Sequence, residues 1–154
     1  MAPKRRTRRP RKRPGTVPYR SADDDDPLAV ILARLRPYPQ AQVETYTNGV
    51  EVFPPGQRGF PVSIAELERG FRVTCDGWYA YFHSAEEALR IFFKALSPAA
   101  RLRVTVRGTT RCRWRLELET IDGWRPQVER ARLVIPFWRP AAVQYLQNHL
   151  LDAA

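Results

Sequence analysis

Apolar and charged side chains alternate with a period of two over residues 101–119, and this pattern constrains the fold more than any other feature of the chain. Successive side chains of a β-strand point to opposite faces, so the pattern predicts strands with one apolar face and one charged face. Leu102, Val104 and Val106 begin the apolar series, and most of the charged positions are arginine. An α-helix would spread both sets around its circumference, so we expect a sheet here.

A hairpin with a specific register is predicted around Asp76-Gly77. An Asp-Gly pair between two apolar runs favours a two-residue turn, which joins strands 71–75 and 78–82. Such a turn pairs Phe71 with Phe82, Val73 with Ala80, and Cys75 with Trp78. These six side chains are all apolar and all fall on one face, so the turn and the hydrophobic pattern agree.

Capping signals and helical spacing predict four helices. Asp26 followed by Pro27 is typical of a helix start, and Ser63 with Glu66 and Ser84 with Glu87 have the spacing of capping boxes. The predicted helices span residues 27–36, 64–69, 85–97 and 140–151.

Short turns are expected to join the remaining strands. They are predicted at Asn48-Gly49, between strands 43–47 and 50–53 and before a loop at 54–62, at residues 108–110, and at Asp122-Gly123. The last two turns create a three-stranded meander. Its third strand is expected to contain Ala131, Leu133 and Ile135.

Length and composition indicate a globular protein. The chain has 154 residues, 44% hydrophobic and 27% charged, which is enough for one hydrophobic core. We expect one α+β domain over residues 26–154, with a mostly antiparallel sheet (the hairpin plus the meander) and helices packed on one face. No apolar run reaches the roughly 18 residues of a membrane span, and no signal-peptide core is visible. The predicted location is cytoplasmic, or nuclear in a eukaryotic or viral source.

The net charge of +10 is concentrated in two places, and the first is the N-terminus. Residues 1–25 are rich in arginine and proline, contain the acidic run from Asp23 onward, and are predicted to be a disordered tail. Such a basic arm favours binding to nucleic acid or another polyanion, while a solubilising extension or contact with anionic lipid stays open. The candidate binding residues of the arm are Lys4, Arg5, Arg6, Arg8, Arg9, Arg11, Lys12 and Arg13.

The second concentration is the meander. On the apolar face, the predicted turn at 108–110 pairs Leu102 with Leu116, Val104 with Trp114, and Val106 with Cys112. On the other face, the predicted registers pair Arg103 with Arg115, Arg107 with Arg111, Arg113 with Arg132, and Arg115 with Arg130, so like charges face each other across strands. Such pairs are unfavourable, and a bound anion would relieve them. One predicted face therefore collects eight candidate nucleic-acid-binding residues: Arg101, Arg103, Arg107, Arg111, Arg113, Arg115, Arg130 and Arg132.

Aromatic residues add to this hypothesis if the 71–82 hairpin extends the same sheet. Tyr79 and Tyr81 would then lie among the arginines and offer rings on which bases can stack. Three alternatives stay open: a solvated face, a face covered by the 27–36 helix, and neutralisation by the acidic run 23–26.

The two cysteines and two histidines do not form a catalytic or metal-binding pattern. Cys75 and Cys112 are expected to point into the core, their separation matches no zinc motif, and His83 and His149 lack a third ligand. We therefore expect no enzymatic activity, no metal and no cofactor. Phe137 and Trp138 are expected to pack between a strand and a helix, with an apolar partner patch as the alternative.

The order helix, three antiparallel strands, helix over residues 84–152 resembles the double-stranded-RNA-binding domain in topology and length. That family has a lysine-rich start to its second helix, where this chain has Pro136 to Pro140 with Arg139 as the one basic residue. The resemblance therefore implies a fold and no functional residue. The predicted function is non-enzymatic binding of nucleic acid or another polyanion. The alternative is a structural or protein-interaction module with an arginine-rich solvated surface.

Overall fold

The structure is a computed structural model that describes residues 26–152, so the tail predicted over 1–25 lies outside the described residues. Within that range the chain is α+β, with two helices and antiparallel strands, as the sequence predicts. The elements in chain order are α1 (Pro27–Leu35), β1 (Gln42–Tyr46), β2 (Gly49–Phe53), β3 (Val62–Leu67), β4 (Gly70–Cys75), β5 (Trp78–Phe82), α2 (Ala85–Ala95), β6 (Ala100–Arg107), β7 (Thr110–Thr120), β8 (Gly123–Ala131) and β9 (Ala141–Gln147).

The strands form two sheets, and the prediction of one sheet is wrong. Strands β1 to β5 pair in chain order, and a separate four-stranded sheet has the order β8-β7-β6-β9. Both edges of β6 are occupied, by β7 and by β9, and the outer edge of β8 does not pair with the 71–82 hairpin. The hairpin and the meander therefore belong to different sheets.

The predictions that rest on residues close together in the sequence, namely the 71–82 hairpin and the two helix caps, are confirmed. The pairs Phe71–Phe82, Val73–Ala80 and Cys75–Trp78 form in the predicted register. Asp76 lies at the turn with φ of 53°, a backbone conformation that Asp tolerates better than most residues. Helix α2 begins after Ser84, whose hydroxyl accepts a hydrogen bond from the backbone N–H of Glu87 at 3.2 Å. Helix α1 begins after Asp26, which also acts as the cap.

Two predicted helices are strands instead. The segment predicted as a helix over 64–69 belongs to β3, which pairs with β2 on one side and β4 on the other. Val62 and Ile64 alternate into the core, so two hydrogen-bonded ladders outweigh a capping signal. The segment predicted as a helix over 140–151 contains β9, which lies along β6. The helix–strands–helix order that resembles the RNA-binding domain is therefore absent from 84–152.

Two turns are also displaced by one residue. The first hairpin turns at Thr47-Asn48, since Tyr46 pairs with Gly49. The third strand of the meander ends at Ala131, so Leu133 and Ile135 are not in a strand, and Leu133 is fully exposed.

A single cluster of buried side chains connects the two sheets and both helices. Helix α2 contacts β3, β4 and β5 through its apolar side, and Phe92 and Leu96 are completely buried there. The apolar side chains of β6, Leu102 and Val104, extend the same core under the four-stranded sheet. The opposite side chains of β6 are thereby directed away from the core.

A buried asparagine holds the chain end against this core. Asn148 is 1% exposed, and its side chain accepts a hydrogen bond from the N–H of Phe60 at 2.9 Å. It donates to the carbonyls of Phe60 at 3.0 Å and Ala95 at 2.8 Å. One amide therefore joins the loop after β2, the end of α2 and the residue after β9.

Replacing this side chain should destabilise the fold. Asn148→Ala leaves three backbone groups without partners in a buried site, so we expect the free energy of unfolding to fall by about 2–4 kcal/mol. Urea unfolding followed by circular dichroism measures the difference. Gln144→Ala, at an exposed position of β9, is the control and should change stability by less than about 0.5 kcal/mol. Equal stability of the two variants would contradict the role assigned to Asn148.

Candidate nucleic-acid interface

Strands β6 and β7 place five arginines on one surface of the four-stranded sheet. Leu102, Val104 and Leu116 point into the core, and the alternate residues therefore point outward. The predicted pairs Leu102–Leu116, Val104–Trp114 and Arg103–Arg115 are all present. We call this surface the arginine face and define it by Arg101, Arg103, Arg107, Arg113 and Arg115.

Arg111 does not belong to the arginine face. The turn before β7 consists of Gly108 and Thr109, one residue shorter than predicted, and an irregularity follows between Thr105 and Val106. Arg107 consequently pairs with Thr110, and Arg111 pairs with the buried Val106. The Arg111 guanidinium reaches the carboxylate of Asp76 in the other sheet at 2.8 Å. The predicted pairs Arg107–Arg111 and Val106–Cys112 are thus wrong.

Arg130 and Arg132 are also absent from this face. The turn before β8 lies at Ile121-Asp122, because Thr120 pairs with Gly123, and a second irregularity follows between Arg115 and Glu117. A shift of one residue moves a side chain to the other face of a sheet. Arg130 therefore opposes Trp114, and Arg132 follows the end of β8. Arg113 and Arg115 face Ala131 and Glu129 instead of the predicted arginines.

Tyr79 and Tyr81 lie on the other sheet, so the prediction that they join the arginines of the meander is wrong. The two rings pack edge to face at 5.8 Å, and Tyr81 pairs with Arg72 across β4 and β5. The Arg130 guanidinium stacks 4.2 Å from the centroid of the Tyr79 ring and donates to the Tyr79 carbonyl at 2.8 Å. This contact ties β5 to β8 and leaves Tyr79 outside the arginine face.

A buried carboxylate neutralises part of the arginine face from within. Glu117 is 4% exposed and accepts hydrogen bonds from Arg101 at 2.7 Å and from Arg115 at 2.8 and 3.2 Å. Arg113 has a looser ion pair with Glu129 at 3.5 Å, and both side chains are exposed. Such exposed pairs contribute little to stability. The like-charge repulsion expected from the sequence is therefore reduced at Arg101 and Arg115 more than elsewhere.

Among the described residues, no carboxylate neutralises the positive charges of Arg103 and Arg107. Over residues 26–152, no carboxylate lies within ion-pair distance of Arg103, which faces Arg115 on one side and Tyr145 on the other. Arg107 donates to the backbone carbonyls of Phe137 at 3.3 Å and Arg139 at 2.9 Å, which orient its guanidinium without cancelling its charge. Counting Glu117, Glu119 and Glu129 against the five arginines, the surface retains an excess of two positive charges.

Two aromatic rings that the sequence analysis did not select lie on this surface. The Arg101 guanidinium is 4.3 Å from the centroid of the Trp124 ring and 4.5 Å from that of Tyr145. Tyr145 was missed because its segment was predicted to be a helix. The alternation of Ala141, Val143 and Tyr145, which shares one face with Arg107, Thr105 and Arg103, is the signal that indicates a strand.

A second basic cleft lies on the opposite side of the four-stranded sheet. It has a volume of about 440 Å³ between α2 and β7–β8, and Arg90, Lys94 and Arg125 contribute its charged lining. In the part of the chain that the structure describes, no carboxylate forms an ion pair with any of these three. This cleft is an alternative position for an anion.

Both cysteines point inward, as predicted. Cys75 is completely buried, and this burial, with a smaller effect of the Asp76 carboxylate, raises the pKa of its thiol well above the usual value. Cys112 is buried and its Sγ lies 3.3 Å from the carbonyl oxygen of Thr110. His83 and His149 are exposed. The described residues contain no group of three His, Cys, Asp or Glu side chains arranged to hold a metal ion.

None of the helices within residues 26–152 has the length and apolar character needed to cross a membrane. No protein-family model matches the chain, and searches of curated proteins and of solved structures find no significant match.

The neutralising role of Glu117 can be tested by stability. Glu117→Gln leaves Arg101 and Arg115 without their carboxylate in a partly buried site, so we expect the free energy of unfolding to fall by about 1–3 kcal/mol. Glu119→Gln removes the same charge from an exposed position of the same strand and should cost less than about 0.5 kcal/mol. Chemical denaturation of both variants at one ionic strength gives the comparison. A loss at Glu119 as large as that at Glu117 would show that net charge, and not the local contacts, determines the effect.

Proposed function

We propose that the protein binds nucleic acid, or another polyanion with closely spaced phosphates, through its basic N-terminal arm and its arginine face, without catalysing a reaction. The observation that supports this most is the position of Arg103. It lies directly opposite Arg115, next to the Tyr145 ring, with no described carboxylate in ion-pair distance. A phosphate at this point would relieve the repulsion between the two guanidiniums.

The chemistry of the surface fits a phosphate backbone and unpaired bases. Guanidinium groups bind phosphate oxygens through a planar pair of N–H donors, and Arg103, Arg107 and Arg113 have exposed or half-exposed side chains. The rings of Trp124 and Tyr145 lie among them and provide apolar surfaces for stacking. This combination favours single-stranded nucleic acid, in which bases are free to stack.

The arm supplies the sequence-independent part of the affinity in this proposal. Eight of the ten residues from Lys4 to Arg13 are basic, and binding by such a segment depends on release of counterions from the phosphates. The proposal also takes both helices to cover one face of the five-stranded sheet, which leaves the arginine face open. A cytoplasmic location, or a nuclear one in a eukaryotic or viral source, belongs to the same proposal.

The alternative function is a protein-interaction module whose arginines contact acidic partners. One observation favours it: Phe137 is 78% exposed and Trp138 is 68% exposed, although both were predicted to pack. Large exposed apolar side chains are typical of protein contacts. The two functions differ in their response to salt and to oligonucleotides.

The contribution of the arm is tested by replacing its eight basic residues, Lys4 to Arg13, with serine in the full-length chain. Fluorescence anisotropy of a labelled single-stranded oligonucleotide measures the dissociation constant between 50 and 200 mM salt. For six to ten phosphate contacts the intact chain should lose about 10³–10⁵-fold in affinity over this range, and the variant should show a much smaller slope. The proposal fails if the intact chain binds neither RNA nor DNA at 50 mM salt.

The contribution of the arginine face is tested by Arg103→Gln combined with Arg113→Gln. We expect the double variant to bind about 10-fold or more weakly at 150 mM salt, because two phosphate contacts are lost. Arg72→Gln, an exposed arginine of the other sheet, is the control and should bind as the intact chain does. A loss with Arg125→Gln but not with the double variant would place the polyanion in the cleft beside α2 and contradict the assignment.

A further inference from the structure

Strand β9 forms an edge of the four-stranded sheet, and most of it is uncovered. Its first five residues, Ala141–Tyr145, are exposed on both faces as well as along the edge. The whole strand from Ala141 to Gln147 contains no charged residue. An uncharged edge strand exposes backbone N–H and C=O groups to any other strand that approaches, and proteins normally prevent this with charges, proline or bulges.

The other sheet edges have such protection. Strand β1 contains Glu44, which hydrogen-bonds the hydroxyl of Tyr46 at 3.0 Å. Strand β8 contains Pro126, several charged residues and the irregularity opposite Arg115–Glu117. Strand β5 is covered by β8, since the Trp78 indole donates to the Val128 carbonyl at 2.6 Å. Among the edges that the structure describes, β9 alone lacks all of these features.

The protein closes the edge only at its far end. The N–H of Gln147 donates to the carbonyl of Arg58 at 3.0 Å, and Asn148 holds the same loop. Within residues 26–152, no loop or helix provides an equivalent backbone partner outside the sheet for Ala141–Tyr145. The uncovered part of β9 is thus a defined segment of five residues.

An apolar segment lies beside the start of this edge. Phe137 and Trp138 are 78% and 68% exposed, and their rings pack edge to face at 5.3 Å. Leu133 and Val134 are exposed too, but they lie beside Thr110 and Ala131 at the β7–β8 side of the sheet. Arg107 positions the segment next to β9, because it hydrogen-bonds the Phe137 and Arg139 carbonyls and pairs with Ala141 in the sheet. Together with Val143 and Tyr145, which are 44% and 52% exposed, these two rings form an apolar surface next to the uncovered edge.

We propose that two copies of the chain associate by antiparallel pairing of β9 with β9, supported by the exposed rings of Phe137 and Trp138. A twofold axis at Val143 would place the small Ala141 opposite Tyr145, so side chains of complementary size would meet. A second copy is the occupant that fits this edge, because β9 has no charge to attract a basic or acidic strand and its own residues pair small with large about Val143.

Antiparallel pairing about this axis keeps corresponding faces of the two sheets on the same side. The result is a continuous eight-stranded sheet with two arginine faces next to each other. The dimer does not depend on nucleic-acid binding, but it would double the basic surface that a long polyanion meets. The two proposals also respond oppositely to salt, because apolar contacts are not screened whereas phosphate contacts are.

The test is the mass of the full-length chain in solution, measured by sedimentation equilibrium at 5–100 µM and in 150 and 500 mM salt. The chain has a mass of 17.8 kDa, and we expect twice that value, with association unchanged or tighter at high salt. Val143→Lys places a charge at the proposed axis and should weaken association at least 30-fold. Val128→Lys makes the same change on the protected edge β8 and should remain dimeric. Circular dichroism verifies that both variants are folded.

A covalent readout keeps the proposal testable if Val143→Lys fails to fold. Val143→Cys should form a disulfide between two copies under mild oxidation, since corresponding residues meet at the axis. The native cysteines are buried and give little background. A monomeric intact chain at 100 µM in both salts would overturn the proposal. So would an intact dimer in which Val143→Lys dimerises as tightly as Val128→Lys.

Discussion

Burial of one face of β6 and β7 forces their arginines onto the opposite face. Leu102, Val104 and Leu116 are completely buried, so a register shift of one residue would bring guanidiniums into the core and expose these side chains. The hydrophobic effect therefore positions Arg103 beside Arg115, although the electrostatic interaction between them is unfavourable. Glu117 reduces this repulsion at one end of the face. The remaining positive charge is the basis of the proposed binding to polyanions.

Several contacts between the two sheets meet at the Asp76-Gly77 turn. The Asp76 carboxylate accepts hydrogen bonds from the Trp114 indole at 2.9 Å and from Arg111 at 2.8 Å. Gly77 lies so close to the Trp114 ring that a Cβ at this position would overlap it at 2.3 Å. The indole of Trp78 reaches the backbone of β8 from the same hairpin. These contacts place the inner side of the meander against the core and leave its arginine face on the outside.

Features that depend on neighbouring residues were predictable from the sequence. The 71–82 hairpin and the cap at Ser84 follow from turn and capping residues. The pair Arg103–Arg115 forms as predicted because the irregularity between Thr105 and Val106 compensates for a turn one residue shorter than expected. Features that depend on distant partners were not. The final segment becomes a strand because β6 has an open edge, and no property of residues 140–151 alone reveals that edge. The irregularity opposite Arg115–Glu117, which inserts one extra residue into β8, moved Arg130 to the other face, which shows how strongly a site on a sheet depends on one residue of register.

The contrast between local and distant partners also explains which of the predicted residues reach the arginine face. Five of the eight arginines selected from the meander share one face, and the three that do not are those whose positions depend on the two turns and irregularities of β7 and β8. Tyr145 joins the face through a pairing with β6 that local patterns do not reveal, whereas Trp124 pairs with Glu119 across the short turn before β8. The most direct test is an NMR titration of the full-length chain with a single-stranded oligonucleotide, following the arginine side-chain Nε–Hε signals. The account predicts shifts at Arg103, Arg107 and Arg113 and none at Arg72. Shifts confined to arginines outside the arginine face would contradict it.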